Sequence, residues 1–121
     1  RLSRAAPARV APRAAETADA VREIAKRLAG RRPAPDDAAA LRRLAEAGDK
    51  RALELLAWCT HEGVGVTRDP LQAYLLYGAA AGVGVADARR NQAVIYENDL
   101  SSDQRQQALT IENGVTQARA E

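Results

Sequence analysis

Apolar residues recur along this chain with the period of an α-helix. Between residues 14 and 29, the residues Val21, Ile24 and Leu28 follow one another at spacings of three and four. This spacing places one apolar stripe on an amphipathic helix, and Gly30 marks its end. The first structured element is therefore predicted to be a helix over residues 14–29.

After Pro35, the same period continues through five further segments, and no segment shows strand alternation. Their starts are marked by capping residues: Asp36, Asp49, Asp69 before a proline, and Ser101. Glycines mark most of their ends. The predicted helices cover residues 36–47, 50–62, 70–81, 86–98 and 102–118. The fold class is thus all-α, with five to six helices.

Residues 1–13 differ from the rest, since they contain Pro7, Pro12 and four arginines and show no helical stripe. They are predicted to form a flexible or extended basic leader. The chain does not begin with Met, which fits either a processed precursor or an excised fragment.

The amino-acid composition limits how the helices can pack and which kinds of site the chain can form. Of the 121 residues, 28 are alanine, and Phe and Met are absent, so the helices must approach closely to bury enough surface. One Cys excludes an internal disulfide framework, and one His excludes a histidine-rich metal site. No apolar run reaches the ~20 residues of a membrane-spanning helix. We therefore expect no metal and no cofactor.

Charge divides the chain into two parts. Residues 1–32 contain nine Lys or Arg and three acids, a net charge of +6, whereas residues 33–121 carry −4. The basic part could contact an anionic lipid surface or an acidic partner. Nucleic acid is disfavoured, because residues 1–33 contain no aromatic side chain to stack on bases.

An internal repeat is visible when the chain is shifted against itself by 36 residues. The shift places Gly48 on Gly84, Ala52 on Ala88 and Ala57 on Ala93. A period of this length corresponds to one helix–turn–helix unit, which buries its apolar face by stacking on the next unit.

One unit resembles the Sel-one-like repeats, relatives of the tetratricopeptide repeats. The residues that carry the resemblance are Ala52, Leu56-Ala57, Gly63-Val64-Gly65-Val66, Asp69, Ala73, Tyr77, Ala80-Ala81 and Gly84. The resemblance implies a short right-handed solenoid of helical hairpins over residues 33–121. It is strong in the middle and partial at both ends, where residues 102–118 resemble a capping helix with a polar outer face.

The unit at residues 36–49 lacks a clear first helix, so one apolar face beside it needs a cover. Three candidates remain open at this point: the helix at 14–29 folding back, a second copy of the chain, or a partner subunit. The chain accordingly divides into a leader (1–13), an amphipathic helix with its linker (14–32) and the repeat region (33–121).

Catalytic motifs are not supported by the spacing of reactive residues. Cys59 and His61 are two residues apart, about 200° around a helix, and cannot share a proton. The glycines at 63 and 65 lack the Lys-Ser or Lys-Thr of a phosphate loop. The carboxylate pairs Asp36-Asp37 and Asp99 with Asp103 are explained as caps at helix starts. We therefore do not expect an enzyme.

The resemblance implies that the first helix of each unit lines a concave groove. The outward stripe of the helix at 50–62 contains the only Trp of the chain, Trp58, which is placed in the groove in preference to the core. We predict that the groove binds a peptide or helix of another protein. The predicted partner-binding residues are Arg51, Glu54, Trp58, His61, Arg90, Val94 and Glu97.

These observations favour a noncatalytic interaction module or accessory subunit. The alternatives are a structural subunit of a membrane-associated assembly and the recognition or regulatory part of an enzyme. The Ala- and Arg-rich composition suggests a bacterial protein, and family members with removed leaders are frequently exported. A periplasmic or membrane-associated location is therefore expected, with the cytoplasm as the alternative.

Overall fold

The computed structural model describes residues 14–120, and the side chains of residues 16–114 within them. This part of the chain forms six α-helices and no strand, which confirms the all-α class. The predicted leader at residues 1–13 lies outside the described residues. The helices are α1 (Ala14–Ala29), α2 (Asp37–Glu46), α3 (Lys50–Glu62), α4 (Pro70–Gly82), α5 (Ala88–Asn98) and α6 (Ser102–Ala120).

Local capping explains where three of the six described helices begin. The Asp49 carboxylate accepts a hydrogen bond from the Ala52 amide at 2.7 Å, and Asp69 accepts one from the Gln72 amide at 3.1 Å. At α6, the Ser101 hydroxyl accepts from the Gln104 amide while the Gln104 side chain accepts from the Ser101 amide. This reciprocal pair is a capping box, which fixes the first turn of the last helix.

Asp36 occupies the predicted cap position before α2, but its side chain does not cap the helix. α2 begins at Asp37, and the Asp36 side chain makes no capping hydrogen bond. Asp37 instead turns towards α1, where its carboxylate accepts two hydrogen bonds from the Arg27 guanidinium at 2.7 and 2.9 Å and one from the Ala34 amide at 2.8 Å. The Arg27 hydrogen bonds keep the pKa of Asp37 below its ordinary value. The hydrogen bonds near the start of α2 are therefore made by Asp37, which joins α2 to α1, and not by Asp36.

Consecutive helices from α1 to α5 pack against one another, α1 also contacts α3, and α6 packs on α4. The apolar face of α1, with Val21, Ile24 and Leu28, is buried in one cluster with Leu41 of α2 and Leu56 of α3. The face beside α2 is therefore covered by α1, the first of the three predicted candidates. A second cluster extends from α3 to α6.

Small residues set the distances between helices. Six alanines are fully buried, with 0% exposure: Ala52, Ala57, Ala73, Ala80, Ala88 and Ala108. At Gly78, a Cβ atom would lie 2.6 Å from the Gln92 side-chain nitrogen, which donates to the Tyr74 carbonyl. The approach of α5 to α4 thus depends on the missing side chain at residue 78.

Burial follows the 36-residue period in part. The buried positions Ala52, Leu56 and Cys59 of α3 recur in α5 as Ala88, Gln92 and Ile95. Gly48 and Gly84 both follow a helix end with positive φ, at 104° and 90°. The correspondence is incomplete, because Ala57 is buried whereas Ala93 is exposed and α5 begins two residues later than predicted.

The last helix differs from the expected polar cap. Leu109 and Ile111 of α6 are 41% and 42% exposed, so its outer face is not uniformly polar. The polar run at residues 104–107 does lie on the surface, with Gln104 and Arg105 half-buried. Arg105 donates to the carbonyls of Tyr96 and Glu97 and thereby ties α6 to the end of α5.

Candidate functional site

A concavity of about 230 Å³ lies between α3, α4 and α5. It brings together three of the predicted partner-binding residues, Trp58, His61 and Val94. Val94 is 46% exposed, among the most exposed large apolar side chains of the described residues. The full lining is Trp58, His61, Glu62, Tyr77, Asn91, Val94 and Ile95, and we call this concavity the α3–α5 groove.

Trp58 lies at the boundary between groove and core. It is half-buried and packs against the cluster formed by α1, α2 and α3, yet it also lines the α3–α5 groove. The Arg31 guanidinium carbon lies 5.7 Å from the ring centroid, within cation–π range. The indole is therefore neither sealed in the core nor fully exposed.

A line of ionisable side chains in contact with one another runs along one end of the groove, at His61 and Glu62. His61 Nε2 lies 2.9 Å from an Asp99 oxygen, and His61 Nδ1 lies 3.3 Å from a Glu62 oxygen. Arg68 donates to Asp99 at 3.3 Å, and Arg31 donates to Glu62 at 3.1 Å. These contacts join the linker after α1 to α3, to the α3–α4 loop and to the end of α5.

Asp99 shows where the sequence interpretation is wrong. It was assigned to a helix start, but it ends α5, while Ser101 caps α6. Its carboxylate contacts His61, which lines the groove, and accepts a hydrogen bond from Arg68. Because it follows His61 by 38 residues, no local pattern signals this contact.

Tyr77 and Asn91 supply polar groups that sequence reasoning missed. Burial, followed by the charges of Glu54 and Glu62, raises the pKa of Tyr77 to about 12, so its phenol stays protonated at neutral pH. Within residues 16–114, neither the Tyr77 hydroxyl nor the Asn91 carboxamide has a hydrogen-bond partner. Asn91 is half-buried and can be reached by a ligand, whereas Tyr77 is only 4% exposed. Asn91 could have been found, since it lies one helical turn before Val94.

The other four predicted residues do not line this concavity. Arg51 is exposed, and Glu54 is half-buried near Tyr77. Arg90 forms a 3.6 Å ion pair with Asp87 of its own helix region. Glu97 lines a separate concavity of about 340 Å³ between α5 and α6, which also includes Tyr74, Tyr96 and Leu109.

The reactive groups are not arranged for nucleophilic catalysis. Cys59 is 1% exposed, and burial raises the pKa of its thiol to about 11, so it remains a thiol at neutral pH. The ring nitrogens of His61 face Asp99 and Glu62, and not the Cys59 thiol.

Among the described residues, no group of three or more His, Cys, Asp or Glu is placed to hold a metal ion. No helix in this part of the chain is both long and apolar enough to cross a membrane.

Comparison with protein-family models, curated proteins and solved structures gives no match. The resemblance to the Sel-one-like repeats therefore stays a prediction from the sequence.

Proposed function

We propose that this chain is a noncatalytic protein-interaction module or accessory subunit that binds a segment of a partner polypeptide in the α3–α5 groove. The observation that carries the proposal is the combination of half-buried Trp58, exposed Val94 and the polar Asn91 side chain around one concavity. Apolar anchors beside a few oriented hydrogen-bonding groups are typical of protein-binding hot spots.

The size of the groove supports a polypeptide ligand over a metabolite. Small-molecule sites usually enclose roughly 300–1,000 Å³. At about 230 Å³, the α3–α5 groove has room for one large side chain and leaves the rest of the ligand outside. A partner segment would insert one apolar side chain between Trp58 and Val94 and lie along α3 and α5.

We further infer that the helices form a short right-handed solenoid of the Sel-one-like type. The recurrence of buried positions between α3 and α5 after 36 residues supports this arrangement, as does the packing of consecutive helices. In such a solenoid α3 and α5 are the first helices of successive units, so the groove between them is the concave surface. A periplasmic or membrane-associated location in a bacterium belongs to the same proposal.

Replacement of Trp58 by alanine is expected to weaken partner binding by about 2 kcal/mol or more, roughly 30-fold in affinity. Because Trp58 also packs against the core, the variant will lose some stability. Binding by calorimetry is therefore compared at a temperature where circular dichroism shows that the variant is folded. Unchanged affinity in the folded variant would remove Trp58 from the site.

A matched pair of valines separates the groove from exposed apolar surface in general. Val94 and Val83 are 46% and 44% exposed, but only Val94 lines the groove. In a pull-down with quantitative mass spectrometry, Val94→Asp should lose the partner and Val83→Asp should retain it, because a carboxylate in the pocket cannot be desolvated there. Equal capture by the two variants would contradict the assignment.

A further inference from the structure

The charged side chains at the end of the groove near His61 and Glu62 differ in exposure. The side chains of Arg31 and Arg68 are 60% and 51% exposed, whereas those of Glu62 and Asp99, their partners, are 32% and 23% exposed. The formal charges of these four residues cancel, but the arginine side chains are about twice as exposed as the carboxylates. This end of the groove therefore presents a cationic surface to an arriving ligand.

Both arginines retain free hydrogen-bond donors. Arg31 donates through Nη2 to Glu62, and Arg68 donates through Nη2 to Asp99. A guanidinium carries about five N–H donors, so several on each side chain remain for a planar anion. A carboxylate is the side-chain group that matches this geometry, because it accepts two parallel hydrogen bonds from one guanidinium.

The backbone holds Arg31 in place. α1 ends in a Schellman motif, in which the Arg32 amide donates to the Arg27 carbonyl and the Arg31 amide to the Leu28 carbonyl. Arg31 occupies the left-handed position of this motif at φ 55°, which glycine usually fills. Its guanidinium is thus directed over Trp58, at the edge of the apolar pocket.

The opposite end of the groove carries exposed charges of both signs, and Arg51 at the start of α3 is one of its exposed cations. Arg90 is 77% exposed, but Asp87 beside it is 65% exposed, and Glu54 adds a further carboxylate near Tyr77. What distinguishes the end towards the C-termini of α3 and α5 is that an exposed arginine, Arg31, lies directly over the Trp58 ring, so an acidic group there would bind beside the apolar pocket.

We propose that the occupant of the α3–α5 groove is an acidic segment of a partner protein. It places an aliphatic or aromatic side chain between Trp58 and Val94 and has acidic residues on both sides of it, one for Arg31 and one for Arg68. This rests on the proposed function, since it names the chemistry of the ligand for the same groove. Residues 1–13 of the chain do not fit this role, because they contain four arginines and no acid.

Three short synthetic peptides test the proposal on the full chain. Each has one central Leu, and the flanking residues are Glu, Gln or Lys; both ends are blocked. Trp58 is the only tryptophan, so its fluorescence reports occupancy of the groove directly. The Glu peptide is expected to bind about tenfold or more tightly than the Gln peptide at low salt, and the Lys peptide more weakly. Added salt should reduce this preference, since the arginines are exposed and screened at a Debye length of about 10 Å in 0.1 M salt.

Arginine variants assign the preference to the two side chains. Arg31→Gln and Arg68→Gln should each reduce the ratio of the affinities for the Glu and Gln peptides about three- to tenfold. Arg43→Gln, an exposed arginine on α2 that does not line the groove, is the control. All three positions are exposed, so the variants are expected to fold.

The possible results separate this proposal from the groove function. Equal affinities for the three peptides, or tighter binding of the Lys peptide, would overturn acidic recognition and leave the groove as a binding site for a neutral or basic segment. Absence of binding by all three peptides would also overturn it. Failure of the groove function itself is recognised independently, by equal partner capture by the Val94→Asp and Val83→Asp variants.

Discussion

Substitution of Ala80 by leucine is expected to lower the free energy of unfolding by about 2–3 kcal/mol. Ala80 is 0% exposed on α4 and belongs to the cluster that extends from α3 to α6. A leucine there must either adopt a strained rotamer or push a neighbouring helix away, and closely packed interiors tolerate neither. Because leucine is a good helix former, the loss would report packing between helices and not helix propensity.

The neighbouring residue provides the control for this prediction. Ala79 lies on the same helix and is exposed, so Ala79→Leu should change stability by no more than about 0.5 kcal/mol. Urea unfolding followed by circular dichroism measures both variants. If Ala80→Leu is as stable as Ala79→Leu, the helices are not held at the close distances described here.

Asparagine at position 37 is expected to cost about 2 kcal/mol at neutral pH, because the buried side chain would lose its charge-assisted hydrogen bonds. Asp37 is 3% exposed and joins α1 and the linker to α2. Its folded-state pKa is lowered, chiefly by hydrogen bonds from Arg27. The stabilisation is therefore present above the ordinary carboxyl pKa of about 4 and lost as pH falls through the lowered value.

The melting temperature between pH 7 and pH 2 tests the linkage. The unmodified chain should lose stability steeply on acidification below about pH 4, and Asp37→Asn should show a shallower decrease. Asp36→Asn is the matched control, since Asp36 is exposed and makes no capping hydrogen bond. Parallel profiles for the unmodified chain and Asp37→Asn would exclude Asp37 as the source.

The helices were predictable because their limits depend on neighbouring residues. The bounds of α1 and α3 agree with the predicted ones, since apolar spacing and the Asp49 cap are local signals. The sequence did not predict that Asp37, and not Asp36, makes the hydrogen bonds near the start of α2, because these depend on Arg27 of another helix. The start of α5 was also missed: the turn before it places Asp87 at φ 66°, a conformation that aspartate rarely adopts.

Only those residues of the candidate site could be predicted whose position follows from the helical period and the 36-residue repeat. Those two periods identified Trp58, His61 and Val94, which the structure brings together. Arg31 was not among the predicted site residues, because its contact with Trp58 requires the left-handed turn after α1. The charge line through Asp99 likewise depends on how α5 docks beside α3.

A partner polypeptide that occupies the groove must change the surroundings of the Trp58 indole. Incorporation of fluorotryptophan gives the chain a single ¹⁹F reporter, because the sequence contains one tryptophan. When the partner retained in the pull-down is added in saturating amounts, the account predicts that this resonance shifts, and that it does not shift in the Val94→Asp variant. A partner that binds tightly by calorimetry yet leaves the resonance of the unmodified chain in place would contradict it.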